Sequence, residues 1–147
     1  MNYTTYLKSC VTLYNAGVAI FIGLLFTTNL NYCFTSNTTK MGYHKYKKCI
    51  EACLKCAALC NHCSTSCLQE KDIKMMALCI QMDMECASLC YASAQLMSMG
   101  SAKSIDICKL CAEVCTACAD ECGKHENEHC KECADACRKC AKECKKM

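Results

Sequence analysis

From residue 49 onward the chain repeats one pattern: an inward-type residue, then two or three polar or small residues, then another inward-type residue. The stretch CIEACLKCAALCNHCSTSC, residues 49–67, shows it most plainly. Its repeating residue is cysteine, at Cys49, Cys53, Cys56, Cys60, Cys63 and Cys67, with gaps of four, three, four, three and four. Steps that alternate three and four average about 3.5 residues, the repeat that keeps one stripe of a helix facing a partner. Glu51, Lys55, Asn61 and Ser64 fall between the cysteines and suit the flanks and the solvent side. The pattern predicts an amphipathic helix whose buried stripe is sulfur.

Three more stripes follow. Residues 72–98 carry Cys79, Cys86 and Cys90, with Asp83 in register between them. Residues 102–122 carry Cys108, Cys111, Cys115, Cys118 and Cys122, and residues 127–146 carry Cys130, Cys133, Cys137, Cys140 and Cys144. The breaks are legible too. Asp72 suits an N-cap, and Gly100-Ser101 reads as a helix end followed by a new cap. Gly123 suits a left-handed helix end, and Asn127 suits the cap of the last helix. Short connections make successive helices antiparallel. The expected fold is all-α: an antiparallel up-down four-helix bundle over residues 41–147 with a Cys-lined core.

Residues 1–40 differ in kind. All 14 acidic residues lie after them, and their only charges are Lys8 and Lys40. Residues 16–26, AGVAIFIGLLF, are an apolar run of eleven. A membrane span needs about 20. Three readings stand for this hydrophobic extension. It is a signal-like segment with a weakly basic start and no twin arginine, a weak anchor through residues 13–30, or an upstream stretch before a true start at Met41. Cys10 and Cys33 fall outside any stripe and receive no role. The bundle reads as cytoplasmic, with export or membrane anchoring through residues 1–40 as the alternative.

Composition sharpens the question. The chain has 147 residues, 21 cysteines, five glycines and no proline. So high a cysteine fraction usually marks a small, loop-rich disulfide scaffold, which long helical periodicity contradicts. The net charge of +3 is spread along helix faces without a basic block, so no nucleic-acid partner is inferred.

The chemistry follows from the stripe. Leucine would bury more apolar area per position than cysteine, so packing alone does not explain nineteen inward thiols. Cβ atoms at i and i+4 lie about 5–6 Å apart, whereas a disulfide needs about 3.5–4.5 Å. A metal ion between two sulfurs bridges the wider gap. Eight Cys-x-x-x-Cys pairs occur: 49/53, 56/60, 63/67, 86/90, 111/115, 118/122, 133/137 and 140/144. Structural zinc and iron–sulfur clusters want discrete sets of four ligands, which a continuous lane does not suggest. Soft thiolates favour Cu(I), which accepts two or three sulfurs and neutralises them as protons leave. The expected cargo is on the order of ten to twenty Cu(I) per chain.

Residues 49–67 with NHC inside them, CIQMDMEC at 79–86, ECGKHENEHC at 121–130 and the closing CKECADACRKCAKEC resemble the bacterial copper storage proteins, most closely their cytosolic branch. The resemblance covers residues 41–147. It implies a homotetramer of four-helix bundles, each holding many Cu(I) ions through inward cysteines. It also places an aspartate in the segment containing Asp83. A copper chaperone is the natural delivery partner for such a store.

Up-down topology sorts the ends. One end gathers the start of the first helix, the 96–105 turn and the C-terminus, where Tyr43, Tyr46, Leu96, Met97 and Ile105 read as an apolar plug. The other gathers residues 67–79 and 122–130. There Met75, Met76, His125 and His129 stand beside Cys67, Cys79, Cys122 and Cys130, and copper is expected to pass inward. Asp83, where the stripe calls for a cysteine, either caps a metal or hydrogen-bonds neighbouring thiols. His62 and His44 receive no ligand role. The candidate ligands are thus the nineteen stripe cysteines with Asp83, His125 and His129.

No Ser-His-Asp set, phosphate loop or catalytic carboxylate pair is present, so no enzyme is expected. The Cys-x-x-Cys pairs lack the βαβ context of a redox motif. An iron–sulfur or redox-active electron-transfer protein remains the alternative function.

Overall fold

Each sulfur stripe becomes one helix. The computed structural model describes residues 38–147, and the apolar run 16–26, residues 13–30, Cys10 and Cys33 lie outside them. The helices are α1 (Thr38–Cys67), α2 (Ile73–Ser98), α3 (Ser104–Cys122) and α4 (Glu128–Cys144). α1 packs on α2 and α4, and α3 on the same two. The diagonal pairs α1/α3 and α2/α4 make no backbone approach. The result is the expected antiparallel four-helix bundle. Among the described residues no helix is long and apolar enough to cross a membrane.

The sequence supplies the close approach. In six places a lane cysteine is followed directly by a buried alanine: Ala57, Ala87, Ala112, Ala119, Ala134 and Ala141. Alanine flanks let neighbouring axes come near the short end of the usual 8–10 Å spacing. A short cysteine side chain can then reach the centre. Sulfurs meet even across a diagonal whose backbones stay apart: Cys86 and Cys137 lie 3.8 Å apart, as do Cys90 and Cys140.

The helix ends agree only partly with their signals. Asp72 caps α2 as expected, its Oδ1 accepting from the Met75 N–H at 3.3 Å. Gly100 takes the left-handed conformation at φ 66°. α3 starts at Ser104 rather than 102, because Ser101 turns its Oγ to the Lys103 N–H and its carbonyl to Ser104. Gly123 is right-handed at φ −66°, against expectation. A Cβ there would lie 3.0 Å from both the Ala119 carbonyl and the Arg138 guanidinium. Asn127 holds the N-cap position of α4 but makes no side-chain cap bond. Its amide instead donates to Glu70 at 2.7 Å, tying the 68–72 turn to the 123–127 turn.

The end holding the start of α1 is closed by backbone. Gly42 sits so near the α2–α3 turn that a Cβ on it would lie 2.5 Å from Gly100 and 2.8 Å from the Met97 carbonyl. The apolar plug is smaller than expected. Met97 is fully buried, but Tyr43 and Ile105 are each 43% exposed. Tyr43 turns outward to meet the His44 ring edge-on, so the seal is helix packing rather than aromatic cover.

Candidate metal centre

All nineteen lane cysteines are buried and none is in a disulfide. The within-helix pairs do not approach bonding distance. Pairs 56/60, 63/67, 111/115, 118/122, 133/137 and 140/144 have Sγ separations of 3.8–4.0 Å. Cross-helix contacts are as short or shorter: Cys49–Cys144, Cys56–Cys137, Cys79–Cys122 and Cys86–Cys115 each stand at 3.5 Å. A metal–sulfur bond is about 2.3 Å, so two sulfurs on one ion stand about 3.8 Å apart at a tetrahedral angle and about 4.6 Å apart when opposed. The lane is therefore spaced close to metal-bridged sulfur and far from a covalent S–S bond of about 2.05 Å.

The sulfurs also form sets of four, which the stripe alone does not suggest. Within each set the ligand atoms lie within 4.8 Å of one another: Cys53/Cys111/Cys140/Cys144, Cys56/Cys60/Cys86/Cys137, Cys56/Cys90/Cys115/Cys140, Cys60/Cys118/Cys133/Cys137 and Cys63/Cys67/Cys79/Cys130. Four cysteines, Cys56, Cys60, Cys137 and Cys140, each belong to two of these sets. Isolated structural zinc sites and iron–sulfur clusters each take their own set of four ligands. A soft monovalent ion with low coordination number can use shared sulfurs throughout.

The thiols polarise one another. Hydrogen bonds from Cys115 and then Cys137 draw Cys56 down to about 7. Donation from Cys115, then Cys118, also pulls Cys86 well below the ordinary thiol range. Burial pushes Cys67 up to about 11.

Asp83 is the only buried carboxylate in the stripe positions of the described helices, at 0% exposure. Its Oδ1 accepts from Cys118 at 3.2 Å, Cys122 at 3.3 Å and Cys133 at 3.2 Å, and Oδ2 from Cys79 at 3.8 Å. Of the two sequence readings, the thiol hydrogen bonds are the one visible here. Burial raises Asp83 to about 8.

The α1–α2 and α3–α4 turns form the other end of the lane. His129 Nε2 lies 3.5 Å from Cys67 Sγ and 3.9 Å from Glu70. His125 Nε2 is buried without a hydrogen-bond partner and lies 3.8 Å from Glu121. Both rings are nearly covered, with 12% and 13% of the side chain exposed, so neither is a freely solvated turn residue. Met76 faces inward at 5% exposure and Met75 outward at 69%. His62 and His44 are exposed. Sequence reasoning did not single out Glu121, a 7% exposed carboxylate beside this mouth. Its position four residues before His125, at the end of α3, was the available signal.

Known proteins are similar in sequence and fold. The copper storage protein family model matches residues 43–147. A solved structure of Cu(I)-bound copper storage protein BsCsp3 is 46% identical, with a TM-score of 0.67, covering 69% of this chain and 95% of that one. A cytosolic copper storage protein from Streptomyces lividans, solved with five coppers, is 37% identical, with a TM-score of 0.68 over 73% of this chain and 94% of that one. The uncharacterized cysteine-rich protein YhjQ of Bacillus subtilis (strain 168) is 46% identical over 81 residues, 55% of this chain and 75% of that protein. With its lane of reduced sulfur and a family match running from Tyr43 to the last residue, the chain belongs to the copper storage protein family.

Proposed function

We propose that this protein stores Cu(I), many ions per chain, on the nineteen lane cysteines with Asp83 at one level and His125 and His129 at the mouth. The observation that carries this reading is the overlap of four-sulfur sets, which makes a shared lane rather than isolated sites. The Cu(I)-bound relatives support it. Each ion replaces thiol protons, so the lane stays near neutral as it fills. Storage without catalysis follows the family. A cytoplasmic location is supported by the cytosolic relative from Streptomyces lividans and by the need to keep thiols reduced. The homotetramer implied by the family is supported by exposed Leu54, Met84 and Tyr91 on α1 and α2; light scattering showing a monomer would overturn it. The hydrophobic extension expected over residues 1–40 remains a separate segment in this reading, its boundary drawn back to the start of α1 at Thr38.

Anaerobic titration of the reduced protein with Cu(I), against a coloured Cu(I) chelator and with atomic absorption of the saturated sample, tests the reading. On the order of ten to twenty ions are expected to bind ahead of the chelator. Saturation at one to four would return the lane to zinc or iron–sulfur chemistry.

Copper enters, in this reading, past His129 and His125. The imidazole of His129 touches Cys67, and neutral nitrogen donors can hand Cu(I) to thiols without a charge being buried alone. Replacing both histidines by alanine is expected to slow stopped-flow uptake severalfold while leaving the final load within about two ions. An unchanged uptake rate would remove the histidines from the path.

A further inference from the structure

The closed end of the lane holds a sulfur that is not a thiol. α2 contributes Cys79, Asp83, Cys86 and Cys90 to the stripe and then no further cysteine. Seven residues after Cys90, at the same heptad position, stands Met97. It is 0% exposed. Its Sδ lies 3.5 Å from Cys108 Sγ, whose thiol donates to it. Cys108 in turn neighbours Cys49 and Cys144, which lie 3.5 Å from each other. At this level every helix therefore offers one sulfur: Cys49 from α1, Met97 from α2, Cys108 from α3 and Cys144 from α4. From these contacts we infer that Met97 is a thioether ligand of a terminal Cu(I) site shared with Cys108. The inference rests on the proposed storage function.

Two physical arguments favour the role. A thioether is soft and neutral, so it binds Cu(I) without giving up a proton. At the closed end, where Gly42 packs directly on Gly100, a neutral donor lowers the number of anions that must be buried. Methionine also fills gaps, but a gap-filler needs no sulfur contact, and leucine would serve equally well. The site lies at the end of the lane away from the histidines, so it fills through the lane and late.

The test uses the full chain, reduced and labelled with methyl-¹³C methionine, titrated anaerobically with Cu(I) while the methionine methyl signals are followed. Met97→Leu assigns the signal and conserves the volume. The Met97 methyl is expected to move only after most of the copper has bound, and Met97→Leu to hold one Cu(I) fewer while melting as wild type does when metal-free. A Met97 methyl that stays fixed while the chain takes its full load, with Met97→Leu loading identically, overturns the inference and leaves the store intact. A load of only a few ions overturns both.

Discussion

Replacing Cys137 by serine is expected to remove more than one copper ion from the saturated protein. Cys137 Sγ lies 3.5 Å from Cys56, 3.6 Å from Cys60, 3.8 Å from Cys86, 3.6 Å from Cys118 and 3.9 Å from Cys133. From α4 it thus touches sulfur on each of the other three helices. It belongs, with Cys60, to two of the overlapping four-sulfur sets. A hydroxyl is a hard, weak donor for Cu(I). Each ion that relied on the Cys137 sulfur therefore loses a bond, and two or more ions are expected to leave for one thiol removed. The fold tolerates the change. Ser93, also at 0% exposure, satisfies its hydroxyl on the Leu89 carbonyl at 2.8 Å. A serine at 137 can do the same with the carbonyl four residues back. Cys49→Ser is the comparison: it stands at the closed end, 3.5 Å from Cys144 and beside Cys108, and a loss near one ion is expected. Atomic absorption of both saturated variants reads the difference. Equal losses of one ion would mean that the sulfurs act as independent pairs and that the sharing is geometric only.

The second large effect concerns the metal-free fold. Asp83→Asn is expected to stabilise it at pH 8 and to leave it nearly unchanged at pH 4. Burial raises the folded carboxyl to about 8, whereas an unfolded aspartate titrates near about 3.9. Between these values the folded chain holds a proton that the unfolded chain has released. Stability then falls as pH rises, and the penalty is absent below about 4 and complete above about 8. Its ceiling is on the order of 5 kcal/mol. Asparagine carries no charge at any pH and can still accept from Cys118, Cys122 and Cys133. Urea unfolding of the reduced, metal-free proteins at several pH values reads the gap between the two. It should widen steadily from pH 4 to pH 8. Parallel curves would mean that the three thiol donors compensate the carboxylate fully.

Much of this molecule is written in one dimension. The three-four spacing placed all nineteen cysteines and Asp83 on inward faces, and every one of them is buried. The same spacing separated i,i+4 thiols too widely for disulfides, and none is present among these cysteines. Asp72 announced its helix correctly because a cap is a contact over three residues. Where a signal depended on distant neighbours, the local reading failed. Gly123 stays right-handed, with the Ala119 carbonyl and the Arg138 guanidinium close against it, rather than turning left-handed. Asn127 spends its amide on Glu70, 57 residues away. Tyr43 and Ile105 are apolar yet half in solvent, since no neighbouring helix reaches them at the bundle's rim.

The sequence by itself determined which face of each helix is sulfur, because a helical repeat assigns faces from spacing alone. Only the tertiary structure decided which sulfurs meet. The axial register of four helices is set by turn lengths, by the alanines that permit close approach, and by contacts such as Gly42 on Gly100. That register brings Cys137 to Cys56, Cys86 and Cys118, turns four stripes into overlapping sets of four, and puts Met97 beside Cys108 at the closed end. Helical periodicity carries no information about the height of one helix against another, so the lane could be foreseen and its cross-links could not.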